Sequence, residues 1–216
     1  MRNLEKDAVE MAARRETMMN TGFRIFAEKS IETVSMQEIA DASELGVATL
    51  YRYFRTKTSL ATAIAAKAWR EYNAEVGKMY RARGGDAMTA AEEMVFFLDC
   101  FIDLYQNHKD ILRFNRNFFT YVRHERVTKE KLKDYTDVVG EFAARCHALY
   151  QKAQKDGTLK VDLPEKKFFA STLHIMLSVS EKYAEGLIYP PDASYEEDLT
   201  DELVLLKNMI LRAYQA

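Results

Sequence analysis

The sequence predicts an all-α protein of about nine helices, and three observations predict it. Gly (8) and Pro (3) are scarce in 216 residues, and every proline lies at or beyond Pro164, so none breaks a helix earlier. Apolar residues recur three and four apart over long stretches, the period of a helix with one buried face. No alternating apolar and polar run is longer than a few residues, so no strand is expected. Adjacent Gly84 and Gly85 favour a loop and mark a boundary. The chain therefore divides into residues 1–57, a connecting helix over 58–83, and a second helical region over 84–216.

The elements follow in order. Met11, Met18, Gly22, Ile25 and Phe26 share one face of a helix over 7–28. Ser35-Met-Gln-Glu38 has the spacing of a capping box and opens a short helix ending near Ala42. Gly46 to Tyr53 reads as a second short helix. Thr56 caps a longer one reaching about Met79. Thr89-Ala-Ala-Glu92 is another box, followed by Met94, Leu98, Phe101, Ile102 and Tyr105 on one face. A further helix covers 109–123. Over 129–155, Leu132, Tyr135, Val139, Phe142, Cys146, Leu149 and Ala153 form a narrow seam, which Gly157 ends as a C′ residue. Pro164 is expected near N1 of the next helix, and Ser194-Tyr-Glu-Glu197 opens the last.

Composition excludes the simplest functional signals. The net charge of −2 gives no global attraction to nucleic acid. Cys100 and Cys146 form no C-x-x-C pattern, so both are read as reduced thiols. The first residues are charged throughout and no apolar run reaches the ~18 residues of a membrane span. A cytoplasmic protein without a membrane partner is the expectation.

Residues 15–60 carry the functional signal. They read as a long helix, a capped short helix, a tight turn and a second short helix ending in aromatics. Met36, Ile39, Ala40, Leu45, Leu50 and Phe54 are spaced to form a small core between the short helices. That is helix-turn-helix logic, in which the second helix enters the major groove. Residues 1–60 hold nine basic and nine acidic groups, which cancel. From Leu45 to Arg70 there are five basic residues (Arg52, Arg55, Lys57, Lys67, Arg70) and no acid. A segment touching phosphate must be cleared of carboxylates in this way. The alternative is an ordinary solvated face.

The string IADASELGVATLYRYFRTK, preceded by FRIFAEKSIETVSMQE, resembles the N-terminal DNA-binding domain of the tetracycline-repressor family. The resemblance covers residues up to Lys57 and implies DNA contacts for particular positions. Ser35 caps and touches phosphate, and Gln37 reaches a base edge. Val47, Ala48 and Thr49 occupy the exposed start of the recognition helix, the first two suited to thymine methyls. Thr49 and Tyr51 match base or phosphate contacts, Arg52 adds readout, and Tyr53 matches a second backbone-contacting aromatic. Lys57 matches the lysine that helps helix amides meet a phosphate. Three positions depart from the pattern: Ser30 and Glu44 replace Gly, and Gly46 replaces a capping Ser or Thr.

For the C-terminal region the resemblance implies a ligand-binding and dimerisation domain. The expected protein is then a homodimeric repressor of a palindromic double-stranded DNA operator that responds to a small hydrophobic effector, without cofactor or metal. Phe97, Phe101, Tyr105, Phe118, Phe119 and Phe142 are candidates for an apolar ligand cavity, with Asn115, His147 and His174 as polar groups that orient a ligand. Core packing is the alternative for each. The last two helices are apolar on more than one face, so both sides require burial. Phe169, Leu173, Met176, Leu177, Leu203, Leu206 and Ile210 are the candidate dimer seam; a central position in a monomeric bundle is the alternative. Four histidines and two cysteines fit no metal-hydrolase, phosphate-loop or nucleophile-elbow motif, so no enzyme is expected. The remaining alternative is an all-helical protein-interaction module without DNA binding.

Overall fold

The computed structural model describes residues 4–186 and 198–215, and these form nine α-helices. They are α1 (Leu4–Glu28), α2 (Met36–Ala42), α3 (Val47–Tyr53), α4 (Lys57–Ala82), α5 (Ala90–Asn107), α6 (Lys109–His124), α7 (Lys133–Asp156), α8 (Glu165–Ala184) and α9 (Thr200–Ala213). The proposed cap at Ser194 lies outside the described residues. Among the described residues no helix is long and apolar enough to cross a membrane.

Local chemistry sets most boundaries. Thr89 and Glu92 form the full reciprocal box at the start of α5. Ser35 accepts from the Glu38 amide at 3.0 Å, but the Glu38 carboxylate does not return the bond; it pairs with Lys29 at 2.6 Å. Thr56 exchanges bonds with Ser59 at the start of α4, the hydroxyl accepting from the Ser59 amide at 3.0 Å. Gly157 lies at φ +66 and donates to the Ala153 carbonyl, ending α7 as its left-handed residue. Pro164 is the N-cap of α8, next to N1. One expectation shifts: residues 129–132 form a separate 3-10 turn ahead of α7.

The chain folds as two units: residues up to Trp69 together with Phe114–Asp137, and Arg70–Arg113 together with the described residues from Val138 onward. The core of the first takes in Phe26, Ile31, Ile39, Leu50, Leu60 and Ile64, with Phe114 and Phe118 from α6. Fully burying each such side chain contributes about 1.5–3 kcal/mol. Gly22 is small for a reason: a Cβ there would lie 2.8 Å from Ile64 Cδ1, so α1 and α4 approach closely at this point. Asn117 ties α6 to the end of α1, donating to the carbonyls of Phe26 (2.8 Å) and Lys29 (3.2 Å).

In the second unit α5 packs against both α8 and α9. The first amides of α5 are satisfied by the end of α7: Ala90 donates to Asp156 Oδ2 (2.8 Å) and Ala91 to Thr158 Oγ1 (3.0 Å). Nearby, the buried Glu93 carboxylate pairs with Lys152. The α7 seam faces inward through Tyr135, Val138, Cys146, Leu149 and Ala153, while Val139 is exposed and Phe142 half-buried.

The candidate dimer seam divides by burial. Phe169, Met176, Leu203 and Ile210 are buried within the chain's own fold, where α8 and α9 pack on α5, and Leu173, Leu177 and Leu206 are half-buried. The large apolar side chains left outside are Ile175 (44% exposed) on α8 and Leu205 (60%) and Met209 (59%) on α9.

Candidate nucleic-acid interface

The turn between α2 and α3 is set by backbone hydrogen bonds. Leu45 N–H donates to the Ala40 carbonyl (3.0 Å) and Glu44 N–H to Asp41 (3.1 Å), the paired bonds of a Schellman ending. This places Glu44 at φ +56, in the left-handed region where a non-glycine residue costs about 1 kcal/mol or more. The turn is therefore kept, not rebuilt, despite the missing glycine. Gly46 then serves as N-cap of α3, whose first residue is Val47. Ser30 does not take a positive φ, so its departure from glycine leaves no strain.

Only Leu50 of α3 is buried, anchored in the core with Met36, Ile39, Ala40 and Phe54 around it; Leu45 is half-buried. The opposite side projects. Ala48, Arg52 and Tyr51 (49%) are exposed, with Val47 and Thr49 half-buried at the helix start. Gln37 is exposed on α2, its Nε2 donating to Asp41 Oδ1 at 2.7 Å. The exposed cations of this surface are Arg52 and Arg55. The Arg52 guanidinium lies 5.6 Å from the Tyr53 ring centroid, a cation–π contact that directs it along the helix.

Two of the expected contact residues are turned to other work. Lys57 is part-buried, and its ammonium donates to the carbonyls of Glu32 and Val34, both at 2.9 Å, with the Tyr121 ring 5.7 Å away. It clamps the segment between α1 and α2 to the start of α4, and is not presented to a phosphate. Tyr53 has its hydroxyl enclosed and without a hydrogen-bond partner, so it does not offer that group to a backbone. Among the other cations of the carboxylate-free stretch, Lys67 pairs with Glu16 at 3.0 Å. Arg15, on α1, lies over the Phe54 ring at 5.2 Å.

The ligand candidates divide between the units. Asn115 and Phe118 belong to the first unit's core: Trp69 Nε1 donates to Asn115 Oδ1 (3.1 Å), and Phe118 stacks on Phe114 and meets Tyr135 edge-on. Phe119, in the same unit, is exposed. Phe97, Phe101 and Tyr105 are buried in the second unit, with Phe142 edge-on to Phe97. His147 and His174 are exposed, contrary to their reading as polar groups within apolar surroundings; His147 meets Glu165 at 3.0 Å. The second unit holds a cavity of about 310 Å³ that the aromatic pattern did not indicate, between the C-terminal half of α4 and the middle of α5. Phe96, Cys100 and Asp103, three and four apart, are the face of α5 that lines it.

Residues 19–64 match the family of bacterial regulatory proteins, tetR family. No curated protein sequence matches the chain. Among solved structures, a transcriptional regulator from Saccharomonospora viridis in complex with choline is similar (14% identity, 95% of this chain and 99% of that chain covered, TM-score 0.72). So is the fatty acid degradation regulator FadR from Bacillus halodurans (12% identity, 92% and 94% covered, TM-score 0.70). A TetR-family protein from Vibrio parahaemolyticus is another (16% identity, 94% and 99% covered, TM-score 0.65).

Proposed function

Because residues 19–64 form a tetR-family domain on a chain with the fold of that family's regulators, we propose that the protein is a cytoplasmic transcriptional repressor that binds a palindromic DNA operator as a homodimer and releases it when a small molecule binds its C-terminal helices. One observation carries the DNA reading: α3 projects Ala48, Tyr51 and Arg52 from a core anchored by Leu50, in a stretch free of carboxylates. A protein-interaction module has no need of that clearance, and phosphate contact does.

In this reading α3 enters the major groove of each half-site, with the two copies about 34–36 Å apart. Val47 and Ala48 meet thymine methyls, while Thr49, Tyr51, Gln37 and Arg52 supply polar contacts. Ser35 remains at the phosphate-facing start of α2. The outward apolar side chains Ile175, Leu205 and Met209 support a second copy against α8 and α9. Helix α4 runs from the first unit into the second, which supports it as the element an effector displaces. Only an effector with different affinity for the two states displaces it. The choline complex of the Saccharomonospora viridis relative supports a small-molecule effector here.

Selection of bound duplexes from a random DNA library tests the proposal. The expected product is a pair of inverted half-sites. On that duplex, Arg52→Ala reduces the dependence of log affinity on log salt by about 1, whereas Lys57→Met leaves the slope unchanged because its ammonium is held by two carbonyls. Recovery of no enriched sequence, or an unaltered slope with Arg52→Ala, overturns the reading.

A further inference from the structure

The cavity between α4 and α5 is apolar over most of its wall, with Met79, Phe96 and Cys100 on it, and it carries three charged side chains: Arg83, Asp99 and Asp103. Two of the three are spoken for. Asp99 accepts from Arg83 at 2.6 Å through one oxygen and from Lys207 at 2.7 Å through the other. Arg83 is thereby matched, and the Asp99 charge is offset by two cations.

Asp103 is different. Its Oδ1 accepts from Asn107 Nδ2 at 2.8 Å and its Oδ2 from the Tyr72 hydroxyl at 3.2 Å, both neutral donors. The Tyr72 phenol is anchored by a second bond to the Cys100 carbonyl (2.6 Å), and burial, with Cys100 and Asp103 nearby, raises its pKa, so it stays a neutral donor. No lysine or arginine among the described residues pairs with Asp103. The His108 ring nitrogen is 3.8 Å from it, beyond hydrogen-bond reach, and 3.4 Å from a second carboxylate, Glu75. One end of an apolar cavity thus holds a carboxylate whose charge no lysine or arginine offsets.

We infer that this cavity binds an organic cation, an amine or quaternary ammonium on a small apolar body. This rests on reading the C-terminal helices as the effector domain, and narrows the effector to a chemical class. The volume of about 310 Å³ lies at the lower end for small-molecule sites. The ammonium sits against Asp103, where an apolar wall weakens competition from water. Phe96, Met79 and Cys100 take the apolar remainder. An anion competes with Asp99 for Arg83, which is already paired.

Benzyltrimethylammonium serves as the probe and benzoate as its anionic counterpart, titrated calorimetrically into the full-length protein. The expected result is binding of the cation, none of benzoate, and a loss of about tenfold or more in cation affinity for Asp103→Asn, which keeps the shape and an acceptor for Tyr72. Asp103→Glu retains most of the affinity, which separates lost charge from a damaged fold. Failure of the cation to bind, equal binding of benzoate, or full affinity in Asp103→Asn overturns the inference. Operator release is read in parallel with both probes. Release by benzoate through the C-terminal helices leaves the effector reading standing and the cation inference overturned. Asp103-dependent cation binding without release confirms the site and counts against the effector reading.

Discussion

Glu44 shows how much of the site rests on a single backbone angle. At φ +56 it holds the tight turn from α2 to α3, a conformation that glycine reaches without steric cost. Glu44→Gly is therefore expected to stabilise the protein by up to about 1 kcal/mol, reduced by glycine's greater freedom in the unfolded chain. Urea denaturation checks it; a lower midpoint means the turn is not strained. The departure at this position was legible from residue type, and so was the clearing of carboxylates around α3. The directions of Lys57 and Tyr53 were not. Sequence spacing puts both at the foot of the recognition helix, but the Glu32 and Val34 carbonyls, supplied from more than twenty residues away, draw the Lys57 ammonium inward.

At the scale of elements, the caps explain what could be foreseen. Thr89, Ser35 and Gly157 act on neighbours within a few residues, so their roles were written locally. The bonds that complete α5 were not, because Asp156 and Thr158 arrive from the far end of α7. Asp156 also gives the element a pH dependence. Burial alone would raise its pKa, but bonds from the Thr158 and Ala90 amides outweigh this and hold it below the ordinary carboxylate range. A lowered folded-state pKa contributes stability that is present above the unfolded value of about 3.9 and is lost as pH falls through the folded value. The melting temperature is expected to fall more steeply below about pH 4 in the parent than in Asp156→Asn. Parallel melting curves for the two across that range contradict the assignment. The α8 and α9 faces defeated sequence reading for another reason. Both sides of each helix are apolar, and only packing on α5 decides that Met176 and Leu203 turn inward while Leu205 and Met209 remain outside.

For the whole molecule, the proposed function requires two copies, and the outward residues of α8 and α9 make that testable. Leu205→Lys with Met209→Lys is expected to yield a monomer by analytical ultracentrifugation, with unchanged helical circular dichroism and operator affinity reduced at least about a hundredfold. A dimer that survives both changes moves the interface elsewhere. Within the chain, α4, α6 and α7 each begin in one unit and end in the other. Trp69, the chain's single tryptophan, closes the first unit's stretch of α4, its indole N–H held by the Asn115 carbonyl oxygen. The protein thus comes with its own fluorescent label at that crossing point. A blue or red drift in emission on adding an effector would follow α4 in unmodified protein, and a companion Asn115→Leu sample would provide the spectrum of the indole without its bond to Asn115.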